Sequence, residues 1–282
     1  MSEPKLAMSN ISWPPEATGR AYALLQKAGF TGVEIAPGLL FRSEDDPRKP
    51  SPAAIERARA EARGYGLSFV AMQSLHFGMG HAQLFGDEPA RIAFIAAIDA
   101  CCELARRLDI GILTIGSAPN RAHPPQLNKT SSLGMARDTL LPLADRADKA
   151  GVKLAIEPIP AAYGTNFLNT LGEALAFVRL CDHPALRLNF DTGAMAMSGE
   201  IVTLEEHYDA ARPWIGHIHI SGPGLRPITR TDAWLASLST LKGKTSVWMS
   251  AEMRAGPGDD VIVARGAASA LAYHVLGRSP SP

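Results

Sequence analysis

Residues 152–193, VKLAIEPIPAAYGTNFLNTLGEALAFVRLCDHPALRLNFDTG, decide the fold. The stretch opens on an apolar β-type run, VKLAIEP (152–158), breaks at Pro and Gly, becomes amphipathic over 170–181, and closes on a second run, LRLNFDT (186–192). A strand, a crossover helix and another strand within roughly forty residues form the βα unit of a parallel sheet. Each strand ends in an acid where packed chain meets solvent: Glu157 before a proline, Asp191 before Thr192 and Gly193.

The same cycle recurs on both sides. Further β-type runs are KLAMSNI (5–11), GVEIAP (32–37), LSFVAMQS (67–74), GILTIGS (111–117), WIGHIHIS (214–221) and TSVWMSAEM (245–253), which brings the strands to eight. Between and after them, amphipathic segments predict helices over 16–28, 52–65, 88–108, 132–150, 170–181, 201–211, 232–241 and 259–276. Gly29, Gly66 and Gly151 follow three of these, at positions where a helix ends in positive φ. Eight parallel strands with eight helices predict a closed α/β architecture, the (β/α)8 TIM barrel, as one domain over residues 1–282. A doubly wound open sheet is the runner-up, but it wants a glycine-rich turn after an early strand, and SNISWPP (9–15) is not one. Long loops at 38–51, 75–87 and 117–131 each follow a strand, on the face where barrels build active sites.

The 282 residues are 46% hydrophobic and 20% charged, with 28 basic side chains balancing 28 acidic ones, so net charge lends no support to a nucleic-acid partner. Cys101, Cys102 and Cys181 lack metal-type spacing and read as buried thiols in a reducing compartment. No basic segment followed by a long apolar run opens the chain, and IAFIAAIDACCELA is broken by Asp99 and Glu103, so the expectation is a cytoplasmic protein without membrane spans. A homodimer is left open.

In a barrel, the polar groups at strand ends converge on one mouth: Asn10, Glu34, Gln73, Ser117, Glu157, Asn189, Asp191, His217, His219 and Glu252. Singly, each has an ordinary explanation. Glu157 could be a solvated acid, Asp191 a helix cap and His219 a hydrogen-bonded histidine. Glu252 sits in VWMSAEM, where an unpaired carboxylate would cost several kcal/mol. Together, Glu157, Asp191, His219 and Glu252 come from four successive strands and read as the ligands of one divalent metal ion. Three carboxylates and an imidazole make a hard, mostly oxygen site, favouring manganese, magnesium or cobalt at least as well as zinc. His217 shares the strand face of His219 at a deeper level and reads as a histidine supporting the ligands.

LAIEPIP, NFDTG, GHIHIS and WMSAEM resemble the xylose isomerase-like TIM-barrel superfamily, which includes ketose 3-epimerases and endonuclease IV, and the resemblance covers nearly the whole chain. It implies a single domain, Mn2+ as the cofactor of first choice with Mg2+, Co2+ or Zn2+ as alternatives, and a small sugar or polyol as the substrate. It also implies a sugar isomerase or epimerase working through an enediolate, with Glu157 and Glu252 serving both as metal ligands and as the acid/base pair. The residues depart from the epimerase branch in the substrate shell. Ala194 stands where those enzymes carry a histidine, Tyr163 where they carry a glutamate and Gly222 where they carry another acid, while Arg226 is only near their arginine. Endonuclease IV needs further histidines, and Ala194 and Trp234 occupy two of those places.

His76, Asn120 and Arg121, in the loops after the third and fourth strands, are candidate substrate-binding residues. Trp13, His217 and the aromatic wall offered by Phe77 join them. Asp259 and Asp260 at the predicted start of the last helix oppose phosphate and favour an unphosphorylated polyol, while Arg226, Arg230 and Arg254 keep a phosphorylated substrate open. Two other functions fit the same core: a dehydratase of an inositol- or shikimate-type keto compound, and a sugar-binding barrel without catalysis.

Overall fold

The computed structural model describes residues 4–241, 243–256 and 261–277. Eight strands, β1 (Lys5–Ser9), β2 (Gly32–Ile35), β3 (Ser68–Met72), β4 (Ile112–Ile115), β5 (Lys153–Ile156), β6 (Leu186–Asp191), β7 (Ile215–Ile220) and β8 (Trp248–Ala251), pair in parallel and in sequence order. β8 returns to β1 through the register Lys5 with Trp248 and Ala7 with Ser250, which closes the barrel.

The outer ring comprises α1 (Thr18–Ala28), α2 (Pro37–Leu40), α3 (Pro52–Gly64), α4 (Glu88–Leu108), α5 (Lys129–Lys149), α6 (Leu171–Cys181), α7 (Thr192–Ser198), α8 (Leu204–Ala211) and α9 (Ile262–Leu271). The predicted boundaries of α1, α3, α4 and α6 hold to within two residues, because each carries strong end signals. Ser51, Asp87 and Thr170 accept a backbone N–H at the starts of α3, α4 and α6. Gly29, Gly66 and Gly151 all have positive φ, at 82°, 69° and 72°.

Four segments depart from expectation. Residues 233–241 form 3-10 turns instead of an α-helix. The final helix is α-helical over Ile262–Leu271 and then widens to π geometry over Ala272–Leu276, while Asp259 and Asp260 lie outside the described residues. The short helices α2 and α7 occupy chain expected to be loop, and α7 shapes the site described below.

Inside the barrel the side chains fall into two zones. Towards the N-terminal end, Ala7, Val70, Ala71, Ile112 and Ala155 pack with Trp248 into a small apolar cluster separate from the main core. Glycines leave room for this plug: a Cβ on Gly32 would come within 2.8 Å of the Trp248 ring, and one on Gly216 within 2.7 Å of Arg187 Cβ. Above the plug the interior becomes polar, with Ser9, Glu34, Asn189, His217, His219 and Ser250 all fully buried. The main apolar core lies outside the strands, between sheet and helices. Among the described residues, no helix is long and apolar enough to cross a membrane, and the three cysteines are buried and unbonded.

Candidate metal centre

His219 occupies the middle of the site because β7 carries it inward beside Asp191, with which it is in register. Its Nδ1 lies 2.7 Å from Glu157 Oε1, 3.2 Å from Glu252 Oε2 and 3.8 Å from Asp191 Oδ2. One donor atom from each of these four residues falls within 4.8 Å of the others, and all four residues are buried. The structure therefore brings together the four residues that sequence spacing had grouped. The opposite ring nitrogen, Nε2, lies 3.0 Å from Glu34 Oε1. When Nε2 donates its proton to Glu34, Nδ1 presents a lone pair towards the three carboxylates, the arrangement by which an outer carboxylate orients a ligating histidine.

Glu34 is the member that sequence reasoning missed. It belongs to the buried run GVEI and was visible only as one of several strand-end acids. His217 Nε2 lies 3.5 Å from the same Glu34 oxygen, so the carboxylate faces both imidazoles of the His-x-His pair. Burial pushes the Glu34 carboxyl up, but the charges of His219 and His217 outweigh it and hold the group well below the usual carboxylate range.

Charge governs the rest of the centre. Burial, with added repulsion from Glu252 and Asp191, pushes the Glu157 carboxyl up to about 7 against the pull of His219. Burial would lower the His219 imidazole, yet Glu34, Glu252, Glu157 and Asp191 raise it well above its ordinary value. A centre so rich in negative charge fits a hard divalent cation, whose binding would displace the Nδ1 proton.

Glu157 depends on an absence of side chain across from it. A Cβ on Gly116, just beyond β4, would stand 1.8 Å from Glu157 Oε2. The other oxygen, Oε1, accepts a hydrogen bond from Asn189 Nδ2 at 2.8 Å.

Asp191 does two jobs, which corrects the reading of it as a ligand in place of a cap. Its Oδ1 accepts from the backbone N–H of Ala194 at 2.9 Å and from the Ser221 hydroxyl at 2.8 Å, so it is the N-cap of α7. Its Oδ2 faces His219. Burial works against ionisation here, but His219, the Ala194 N–H and the Ser221 hydroxyl together hold the carboxyl below its ordinary value.

The cluster opens into a cavity of about 650 Å³ at the C-terminal end of the barrel. Glu157, Asp191 and Glu252 line its floor, and Ala194, Tyr163, Ile11, Leu39, Phe77 and Arg254 are among its walls. The remaining sequence-chosen residues lie outside this lining. His76 is buried, stacked 4.2 Å from the Phe94 ring, with Nε2 3.1 Å from Phe94 O. Asn120 Nδ2 donates to Met79 O and Ala82 O, tying two loops together. Arg121 donates to Ile115 O at 3.2 Å and Glu157 O at 2.5 Å, bracing the ends of β4 and β5 from behind. Trp13 packs edge-on against Tyr22 in the core, and His217 is fully buried beneath the cluster.

The family model described as xylose isomerase-like TIM barrel matches residues 22–262. No curated protein is significantly similar to the chain. Among solved structures, L-ribulose 3-epimerase superposes with a TM-score of 0.77 at 18% identity, over 97% of this chain and 95% of that one. The 3-keto-D-glucoside 4-epimerase YcjR of E. coli gives 0.74 at 20% identity, over 96% and 98%. D-psicose 3-epimerase gives 0.73 at 18%, over 97% and 100%. At these identities the likeness is one of fold.

Proposed function

The chain belongs to the xylose isomerase-like TIM barrel family, and from that premise we propose that it is a divalent-metal-dependent isomerase or epimerase of a keto-sugar or related polyol. One observation carries the reading: three buried carboxylates converge on a single imidazole at the floor of an open cavity. Sugar epimerases among the similar folds support it.

Glu157, Asp191, Glu252 and His219 Nδ1 would hold the cation, with Mn2+ the first choice from the donor set. When bound, it supplies electrophilic polarisation of a carbonyl oxygen and lowers the energy of the negative charge that develops there. The chain's own residues handle the proton. Glu157 and Glu252 come from β5 and β8, on either side of the two strands that carry Asp191 and His219. One carboxylate takes the proton from the carbon next to the carbonyl, and the other, protonated beforehand from solvent, delivers its own proton to the opposite face. Glu34 keeps His219 turned towards the substrate side, while the Asn189 amide and the gap at Gly116 hold Glu157 in its rotamer.

The test is metal analysis of the purified protein, followed by solvent-deuterium exchange into a panel of ketoses with that metal. Deuterium incorporation without loss of water, abolished by Glu252→Gln, is the expected result. Water loss from the substrate would establish a dehydratase instead. A metal-loaded protein that binds a ketose but exchanges no proton would refute catalysis.

A further inference from the structure

We propose that the substrate carries an anionic group, a carboxylate or a phosphate, at the end remote from the carboxylate cluster, and that the guanidinium of Arg254 receives it. The inference rests on the metal-dependent isomerase reading and narrows its substrate to hydroxy-ketones with a terminal anion.

Three arginines stand between β7 and α9, and the structure separates them. Arg226 is held by both oxygens of Asp232 and donates to Pro227 O at 3.0 Å. Arg230 lies over the Tyr273 ring, 4.7 Å from its centroid. Arg254 remains: its backbone N–H bonds to Leu225 O, and its guanidinium has no partner among the described residues. It is also the only cationic side chain among the described residues lining the cavity.

Position gives this charge a use. Beyond β8 the chain stays extended, with Glu252 N–H donating to Ile220 O and Arg254 N–H to Leu225 O. Met253, between them, is fully buried in the helix-side core, so Glu252 and Arg254 share the cavity face. Two extended residues separate their Cα atoms by about 7 Å, and the arginine stem reaches further. A chain of several carbons can therefore run from the carboxylate cluster to the guanidinium. The cluster repels a second negative charge, so an anionic substrate has one orientation in which both ends are satisfied.

Several polar side chains of the lining are committed to protein partners, whereas the Thr114 hydroxyl has none. Ser117 Oγ donates to Asn120, Ser221 Oγ donates to Asp191, and the Gln73 amide donates to Ser9. The wall between floor and mouth is apolar, formed by Ile11, Leu39, Phe77, Ile159 and Leu225.

The experiment uses Mn2+-loaded protein and three six-carbon ketoses that differ only at the terminal carbon: D-fructose, D-fructuronate and D-fructose 6-phosphate. Affinities come from calorimetry on the wild type and Arg254→Met, with a Mn2+ titration of both. The expected result is about 10- to 100-fold tighter binding of at least one anionic ketose than of D-fructose, the range for hydrogen bonds to a charged group. The tighter of the two anionic arms identifies carboxylate or phosphate. Arg254→Met should reduce that preference to within about twofold and leave Mn2+ binding unchanged. Absence of an anion preference in the metal-loaded wild type, including failure to bind any of the three, overturns the inference, as does a preference that survives in Arg254→Met. Failure of the wild type to bind Mn2+ or any other divalent ion would instead overturn the underlying metal-enzyme reading.

Discussion

Replacing Gly116 with alanine adds one methyl group and no charge, yet it should disable the metal centre. The new Cβ would stand 1.8 Å from Glu157 Oε2 and 2.9 Å from its Cδ, whereas real Cβ contacts almost never fall below 3.0 Å. Relief requires the oxygen to retreat by about 1.2 Å, from 1.8 to 3.0, and a metal site tolerates ligand errors of about 0.2 Å. Gly116 has ordinary negative φ, so the backbone can accept alanine and the strain falls on Glu157. Moving that carboxylate also breaks its contacts with Asn189 at 2.8 Å and His219 at 2.7 Å. The overpacking itself costs about 1–3 kcal/mol, a loss that a domain with about 5–15 kcal/mol of stability can survive. The folded variant should bind Mn2+ at least about 10-fold more weakly, by analogy with disturbed ligand support, and exchange substrate protons about 100-fold more slowly. Mn2+ titration followed by electron paramagnetic resonance reads the first, and deuterium incorporation the second. Gly111→Ala is the control, because a Cβ there meets nothing within 4 Å. A folded Gly116→Ala protein with wild-type Mn2+ affinity and exchange rate would refute the role given to Glu157.

Glu34→Leu should weaken Mn2+ binding about 10- to 100-fold through loss of the carboxylate that faces both His219 Nε2 and His217 Nε2, as read by Mn2+ titration. Asp191→Asn should lose metal affinity while keeping the α7 cap, whereas Asp191→Ala should also lose about 1 kcal/mol in chemical denaturation. Acid should destabilise the protein partly through His76, whose burial, supplemented by the charge of Arg48, lowers its imidazole to about 4. The unfolded chain takes up a proton near pH 6.5 that the folded state refuses. The stabilisation is thus complete above about pH 6.5 and is lost as pH falls through about 4, amounting to about 3 kcal/mol. Denaturation curves of His76→Phe at pH 7 and pH 4 should lack this component, and equal pH dependence in the two proteins would count against it.

The barrel was legible because its signals are local. Apolar runs, capping residues and positive-φ glycines repeat with a regular period, and three acids and a histidine at four consecutive strand ends stand out against that period. What stayed hidden depends on pairings across long sequence distances. Asn120 reads as a substrate contact until its bonds to Met79 and Ala82, about forty residues away, show it fastening loops. Arg121 likewise spends its donors on backbone carbonyls. Glu34 lies 185 residues from His219 and gains its meaning only when the strands close into a ring. The short helix α7 escaped notice because seven residues are too few for an apolar period to declare itself, although Asp191 had already supplied its cap.

The apolar plug around Trp248 makes the barrel a vessel with one opening. Phe77 and Arg254 stand on the wall of the cavity, and a bound molecule fills the space that water and departing product use, so it works as its own stopper. A proton lifted from carbon beneath such a stopper has a carboxylate to rest on and little bulk water to escape into. The proton delivered to the opposite face is one that the second carboxylate took from solvent before the opening closed, so product formed in heavy water should carry one deuterium however tightly each candidate molecule seals the vessel.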